Sequence, residues 1–286
     1  MSAPKKLVVC GGSGFLGSRI CRAAVSRGWD VISISRSGQP KWQHLTSSTP
    51  PDWSGKVSWE KADMFRPAQY RPLLRDADCV VHTMGILLEA DYKGVVSGRE
   101  SPISGLRKAF SSTSSTPNPL ERNYEESPPP TSPQQMTYEM MNRDSALLLA
   151  KEASQAGVKT FGYVSAAAGA PVLPSRYITT KREAEALIAR EFPGMRSVFF
   201  RAPFMYDSSR AFTVPLAAMT AAGALFNGVT GGILGGFLGA AVVKPLKADV
   251  VADAVVEALD DEKVSGPVEV AELEELAGRG WRKGML

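Results

Sequence analysis

The sequence predicts an α/β protein: a doubly wound, mainly parallel sheet with helices on both faces and a small carboxy-terminal substrate lobe. Three observations carry this. Short apolar runs alternate with stretches of helical spacing along much of the 286 residues, the order that covers a parallel sheet on both sides. A glycine-rich turn, Gly11-Gly12-Ser13-Gly14-Phe15-Leu16-Gly17, joins the first apolar run to the first helical one. A Tyr177/Lys181 pair opens a later helix, after a strand that ends near Ser165.

Taken in order, Lys6 to Cys10 reads as a strand, Phe15 to Arg27 as a helix and Val31 to Ser35 as a second strand, which makes a βαβ unit. Val57 to Lys61 reads as a third strand and Ala68 to Arg75 as a short helix. A fourth strand, Cys79 to Met84, is entered through Asp76-Ala77-Asp78. From Tyr92 to Gln135 the chain is rich in Ser, Pro and Gly, includes Pro128-Pro129-Pro130 and lacks a sustained period. Residues 92–135 are therefore expected to be a mobile insertion. Order returns with a helix from Met140 to Gln155 ended by Gly157, a strand from Thr160 to Val164, a helix from Tyr177 to Arg190 and a strand from Ser197 to Arg201. Val250 to Leu259 reads as a helix and Val268 to Val270 as a last strand. A single domain over 1–286 is expected, with 204–248 and 268–286 forming the carboxy-terminal lobe.

Composition narrows the function. The 33 basic and 29 acidic residues leave a formal charge of +4, too slight and too dispersed to attract nucleic acid, whereas anionic small molecules fit. Cys10, Cys21 and Cys79 show no CxxC pair and no histidine at ligand spacing, so they read as buried thiols in a reducing compartment. His44 and His82 are the only histidines, which argues against a metal site. A strand pattern reached by Leu7 leaves no room for a signal peptide or a long Arg-rich presequence. From Ala211 to Val243 there is no Asp, Glu, Lys or Arg. Three readings fit that segment: a buried connection in the carboxy-terminal lobe, a surface-lying or substrate-covering helix in peripheral contact with membrane, or a bilayer span. Pro215, Asn227 and six glycines between Gly228 and Gly239 count against the span.

The glycine turn sits between a strand and a helix, the context that gives such a fingerprint meaning. Gly11 permits the tight turn, Gly14 lets the backbone approach a pyrophosphate and Gly17 lets the helix close on the sheet, while amides from Phe15 and Leu16 face the phosphates. This makes the expected sheet Rossmann-type. At the end of the second strand a carboxylate would bind a ribose 2′-hydroxyl and repel a 2′-phosphate. The chain instead reads Ser35-Arg36-Ser37 there, which favours NADP(H). Asp63 is placed either to accept from the adenine amino group or to cap a helix. Thr83 and Gly85, at the end of the fourth strand, and Pro203, in Arg201-Ala202-Pro203, complete the expected cofactor contacts.

Tyr177 and Lys181 stand four apart on a helix and share one face. A nearby ammonium can lower a phenol's pKa and make it an acid or base at neutral pH. Ser165 could hydrogen-bond a substrate oxygen, and Asn142 either orients the lysine through a water or lies on the surface. His82 reads as a neutral structural histidine.

Together GGSGFLG, SISRSG, Val164-Ser165-Ala166, YITTKREAE and RAPFMYD resemble the extended and atypical short-chain dehydrogenases, in the branch that holds the NADPH-binding accessory subunit of mitochondrial complex I. VVHTMGILLE, TYEMMN, PSRYITTKREAE and FMYD are similar to the fungal mitochondrial coenzyme Q biosynthesis oxidoreductase-like members. The resemblance implies cofactor contact by Gly11, Gly14, Gly17, Arg36 and Asp63, and a Tyr177/Lys181 pair at the nicotinamide. It further implies a place on the matrix side of the mitochondrial inner membrane, beside the proteins of a ubiquinone-synthesis complex. The segment from Ala166 to Arg176 is short for an extended dehydrogenase, and the branch includes members that bind NADPH without evident turnover.

Two functions follow. One is an NADP-dependent oxidoreductase acting on an apolar quinone-ring or prenylated aromatic intermediate, with Tyr177 as proton donor, Lys181 on the ribose and Ser165 orienting the oxygen. The other is a non-catalytic NADP(H)-binding subunit that stabilises or regulates a ubiquinone-synthesis complex. A nucleoside-diphosphate-sugar epimerase shares the scaffold, but the apolar carboxy-terminal lobe argues against a sugar-nucleotide pocket.

Overall fold

The computed structural model describes residues 3–42, 49–85, 120, 137–167, 175–207 and 243–285. The expectations for 92–135 and for 211–243 thus fall, Leu120 and Val243 aside, outside the described residues. Strand β1 (Lys6–Cys10), helix α1 (Phe15–Ser26) and strand β2 (Asp30–Ser35) form the first βαβ unit. Strand β3 (Val57–Lys61) follows a 3₁₀ turn (Asp52–Lys56), and the short helix α2 (Pro67–Tyr70) runs into another (Arg71–Leu74) before strand β4 (Cys79–His82). A π-helical turn (Glu139–Asp144) continues into helix α3 (Ser145–Gln155), then come strand β5 (Thr160–Ala166), helix α4 (Ser175–Glu191) and strand β6 (Arg196–Ala202). Two-residue strands β7 (Met205–Tyr206) and β8 (Leu246–Lys247) pair with each other. Helix α5 (Ala248–Asp260), strand β9 (Gly266–Val268) and helix α6 (Val270–Gly284) complete the chain.

The main sheet has seven parallel strands in the order β3-β2-β1-β4-β5-β6-β9. The order reverses between β1 and β4, where Cys10 registers with His82. The crevice outside the carboxyl ends at such a reversal is where doubly wound sheets bind ligands. Because a parallel sheet is covered on both faces, its strands are apolar on both. Leu7, Val9, Val81, Val198 and Phe200 pack with α1 and α5 on one side. Val8, Cys10, Val80, Phe161 and Tyr163 pack with α3 and α4 on the other. The three cysteines are buried and free, and burial pushes each thiol up, Cys79 to about 11.

The largest departures from expectation lie at the carboxy terminus. The last strand is Gly266–Val268, so Val270 starts a helix instead of ending the strand. Helix α6 was not read from the sequence, although Leu273, Leu276 and Ala277 stand at helical spacing and are buried. Among the described residues no helix is long and apolar enough to cross a membrane.

The turn into α1 is fixed by close approach. Gly11 has φ +84, a conformation that only glycine adopts without strain. A Cβ on Gly17 would lie 2.3 Å from the Gly11 carbonyl oxygen, so any larger residue pushes α1 off the turn. Gly17→Ala should therefore lose about 1–3 kcal/mol of stability, the usual cost of overpacking. Urea denaturation measures it, and an unchanged midpoint would contradict this packing.

Candidate functional site

The expected site residues converge on the carboxyl ends of the strands. Gly11 follows β1, Ser35 ends β2, Asp63 lies just past β3, Thr83 and Gly85 follow β4, Ser165 lies in the last turn of β5, and Pro203 follows β6. At the glycine turn the Gly14 amide donates to the Gly11 carbonyl at 2.8 Å, and the first turn of α1 has neither a side-chain cap nor an acidic residue. The amides there are thus directed at an anion. Gly12, given no role in the sequence reading of the turn, sits close as well, because a Cβ there would lie 2.2 Å from Ser33 Oγ.

Beyond β2 the geometry suits a phosphate. Ser37 Oγ lies 3.1 Å from Ser13 Oγ and 3.4 Å from Ser35 Oγ, and Ser35 Oγ donates to the Gly38 carbonyl at 2.8 Å. Arg36 is exposed and makes no hydrogen bond or ion pair among the described residues. Asp63 does not cap α2, whose N-cap is Arg66: its Oδ1 accepts the Phe65 amide at 3.0 Å in the turn before the helix, while its own amide donates to Gln69 Oε1 at 2.8 Å. The Thr83 hydroxyl donates to the Cys10 carbonyl at 2.8 Å and so clamps β4 to β1 beside the turn.

Lys181 is buried, and its Nζ donates to the Val164 carbonyl at 2.9 Å. Burial lowers its pKa to about 8, with Glu185 acting in the opposite sense and Arg182 adding to the decrease. Tyr177 is half-buried, and its ring packs edge-on to Tyr138 at 6.1 Å. The Lys181 ammonium lies 5.7 Å from the centre of the Tyr177 ring. Contrary to the expected acidification, burial pushes the Tyr177 phenol up to about 12, so the phenol is protonated at neutral pH. His82 is buried and neutral, lowered to about 3 by burial and then by Lys181, with Nε2 2.9 Å from Ser145 Oγ.

Ser165 is placed differently from the expected substrate contact. Its hydroxyl donates to Glu185 Oε1 at 2.5 Å and accepts from Arg182 Nη1 at 2.9 Å. Arg201 adds a bond from Nη2 to Glu185 Oε2 at 2.6 Å and reaches Glu269 Oε1 at 2.6 Å. Arg182 Nη2 also holds the Ala166 carbonyl at 2.7 Å. For Ser165 to orient a substrate oxygen, its bond to Glu185 would have to open. The sequence signal for this network was the Glu at four residues from Lys181, which helical spacing turns towards the same buried strand end. Among the described residues no group of His, Cys, Asp or Glu could hold a metal ion.

The doubly wound sheet with a glycine turn at its switch point defines a Rossmann-type α/β protein. A model of the NAD dependent epimerase/dehydratase family matches residues 7–91, the part that carries the glycine turn and the end of β2. The fold is that of UDP-N-acetylglucosamine 4-epimerase from Methanobrevibacter ruminantium M1, with TM-score 0.55 and 17% identity over 94% of this chain and 77% of that one. It is also that of UDP-glucose 4-epimerase from Bifidobacterium longum, with TM-score 0.52 and 15% identity over 92% and 76%. The chain is 40% identical over 218 residues, 72% of its length and 74% of the relative's, to MIOREX complex component 2 of Saccharomyces cerevisiae, and it belongs to that protein's family. UDP-D-apiose/UDP-D-xylose synthase of Oryza sativa is 26% identical over 90 residues, 32% of this chain and 23% of the synthase.

The depressed Lys181 pKa has a testable sign. Below about 8 both folded and unfolded chains hold the proton, and between there and the ordinary 10.5 only the unfolded chain binds it. The buried lysine therefore destabilises the fold more as pH falls through that window. Relative to wild type, Lys181→Met should gain roughly 2 kcal/mol between about pH 10 and about pH 7.5 in chemical denaturation. A pH-independent difference would mean that the ammonium is solvated.

Proposed function

We propose that this chain is an NADP(H)-binding oxidoreductase of the short-chain dehydrogenase type. It acts on an apolar, quinone-like aromatic intermediate of ubiquinone synthesis, on the matrix side of the mitochondrial inner membrane and in contact with the proteins of a ubiquinone-synthesis complex. The observation that carries the cofactor reading is the end of β2: an exposed Arg36 with no ion-pair partner among the described residues, beside the Ser13–Ser37 hydroxyl pair and with no carboxylate in the Ser35-Arg36-Ser37 stretch. A guanidinium and hydroxyls there suit a 2′-phosphate. The substrate class and the address rest on the motif resemblance, and contact with an assembly is in keeping with the name of the yeast relative as a complex component.

NADPH, when bound, supplies hydride. The chain's own groups do the rest. The Gly11–Gly17 turn and the amides of α1 would hold the pyrophosphate, with Lys181 on a ribose and Pro203 at the nicotinamide. Tyr177, protonated at neutral pH and made a weaker acid by burial, gives its proton to the substrate oxygen. The engaged Ser165 hydroxyl favours a second reading, an NADP(H)-holding subunit that performs no turnover. Bound nucleotide alone would then stabilise the fold by mass action.

Parallel fluorescence titrations with NADPH and NADH separate these claims. Arg36→Ala should weaken NADPH by about 10- to 100-fold, the loss of one or two charged hydrogen bonds, and leave NADH unchanged. Equal affinities for the two nucleotides would overturn the NADP assignment. Tyr177→Phe should abolish turnover of a quinone substrate while binding persists. Unaltered assembly of the complex with no turnover in either protein would favour the subunit reading.

A further inference from the structure

The helix that carries Asn142 begins as a π-helical turn, Glu139–Asp144, and becomes α-helical at Ser145. Such a wide turn shifts the hydrogen-bond ladder by one residue, so carbonyls at the junction need other donors. Two side chains provide them. Ser145 Oγ donates to the Met141 carbonyl at 2.9 Å, and the Tyr163 hydroxyl, from β5, donates to the Asn142 carbonyl at 2.5 Å. Tyr163 is buried, with its hydroxyl wholly committed to this bond.

The same tyrosine touches Lys181 by its other part. The Lys181 ammonium lies 5.2 Å from the centre of the Tyr163 ring, within reach of a cation–π attraction strengthened by burial. The next residue along the strand, Val164, accepts the Lys181 hydrogen bond. Gly85 closes the arrangement from above: a Cβ there would stand 3.0 Å from Asn142 Oδ1 and 3.4 Å from Lys181 Nζ. Asn142 and Lys181 therefore come together under the end of β4, and Tyr163 contacts both residues, the Asn142 carbonyl through its hydroxyl and the Lys181 ammonium through its ring.

We infer that Tyr163 is a positioning residue, which fixes the π-helical turn under Asn142 and carries the Lys181 ammonium on its ring, so that the lysine meets a ribose of the bound dinucleotide in one geometry. This rests on the proposed cofactor reading for its ligand, though not for its geometry. Tyr163 touches no reacting atom in this account. It acts through Lys181 and Asn142, and it excludes water from between them.

Two variants test it. Tyr163→Phe keeps the ring and the volume and removes only the hydroxyl. Ser145→Ala removes the companion bond to the same turn, together with the hydroxyl that meets His82 Nε2, and leaves the contacts of Lys181 with Val164 and the Tyr163 ring in place. Tyr163→Phe should weaken NADPH about tenfold, whereas Ser145→Ala, at a similar loss of thermal stability, should bind as wild type does. A readout that needs no nucleotide follows the Lys181 Nζ resonance against pH by ¹⁵N NMR, assigned with Lys181→Arg. The groups facing that ammonium are Glu185 and Arg182 on its own helix, Tyr177 one turn before it, Tyr163 on β5 and His82 on β4. With the hydroxyl gone the turn loosens, water reaches the ammonium, and its midpoint should move up from about 8 towards the ordinary lysine value. Gly85→Ala, at an exposed position, presses on the same pair and should shift the midpoint too, which keeps the test decisive if Tyr163→Phe does not fold. Wild-type NADPH affinity and an unmoved Lys181 midpoint in the variants would overturn the inference. If the wild-type protein binds no NADPH, the proposed function fails, and the Lys181 titration alone decides the role of Tyr163.

Discussion

Helix α1 starts close against the end of β1 because Gly17 lets its backbone pass the Gly11 carbonyl, where a Cβ would be 2.3 Å away. Much of the molecule is arranged around that contact. With α1 seated there, buried Arg19 reaches the Phe15 carbonyl at 2.7 Å, Asp207 at 2.8 Å and Asp249 at 3.1 Å. One guanidinium thereby joins the first turn of α1 to the residue after β7 and to the first turn of α5. Helix α5 in turn packs on α1, where buried Glu257 takes Arg27 at 2.8 Å. Losing a partner from such buried pairs leaves an uncompensated charge and is costly, so the glycine contact has consequences well beyond its own turn.

At the other side of the reversal point the fold accepts polar burial. Lys181, Glu185, Asn142, His82 and Ser165 are all buried beneath the strand ends. An apolar layer of the same volume would fold at least as well, and the charged groups must be held by complete hydrogen bonding to be tolerated. Glu185 is held by Ser165, Arg182 and Arg201, while Lys181 has a carbonyl and two aromatic rings. The lysine thus keeps a low pKa, as a group poised near neutrality requires. The phenol beside it remains protonated. That division suits one group that grips a ligand and one that gives a proton.

The amino-terminal half of the sheet was legible in the sequence because local chemistry there agrees with the global fold. The glycine turn, the apolar run of β1 and the spacing of α1 all demand the same βαβ unit, and β3 emerged with the bounds read from its residues. The convergence of Arg36, Ser37 and Ser13 followed from that unit. What was not legible depended on contacts distant in sequence. The spacing of Glu185 from Lys181 turns it towards the strand end but does not say that it takes Ser165, twenty residues back, and nothing local indicates that Tyr163 would satisfy a carbonyl in a π-helical turn. The Tyr177 phenol moved opposite to expectation because helical spacing brings Lys181 near its ring, while burial, which spacing does not report, sets its acidity. Helix α6 was missed although its residues are strongly amphipathic, because its start at Val270 was read as the end of the last strand.

The central claim is that a nicotinamide dinucleotide lies across the carboxyl ends of β1, β2, β4 and β5. Amide chemical-shift mapping of the full chain with NADPH tests it most directly. The account predicts the largest changes at Gly11–Ser18 and at Ser35–Gly38, with further changes at Thr83–Gly85 and around Tyr177 and Lys181. Changes confined to the amino ends of the strands, or none at saturating nucleotide, would contradict it.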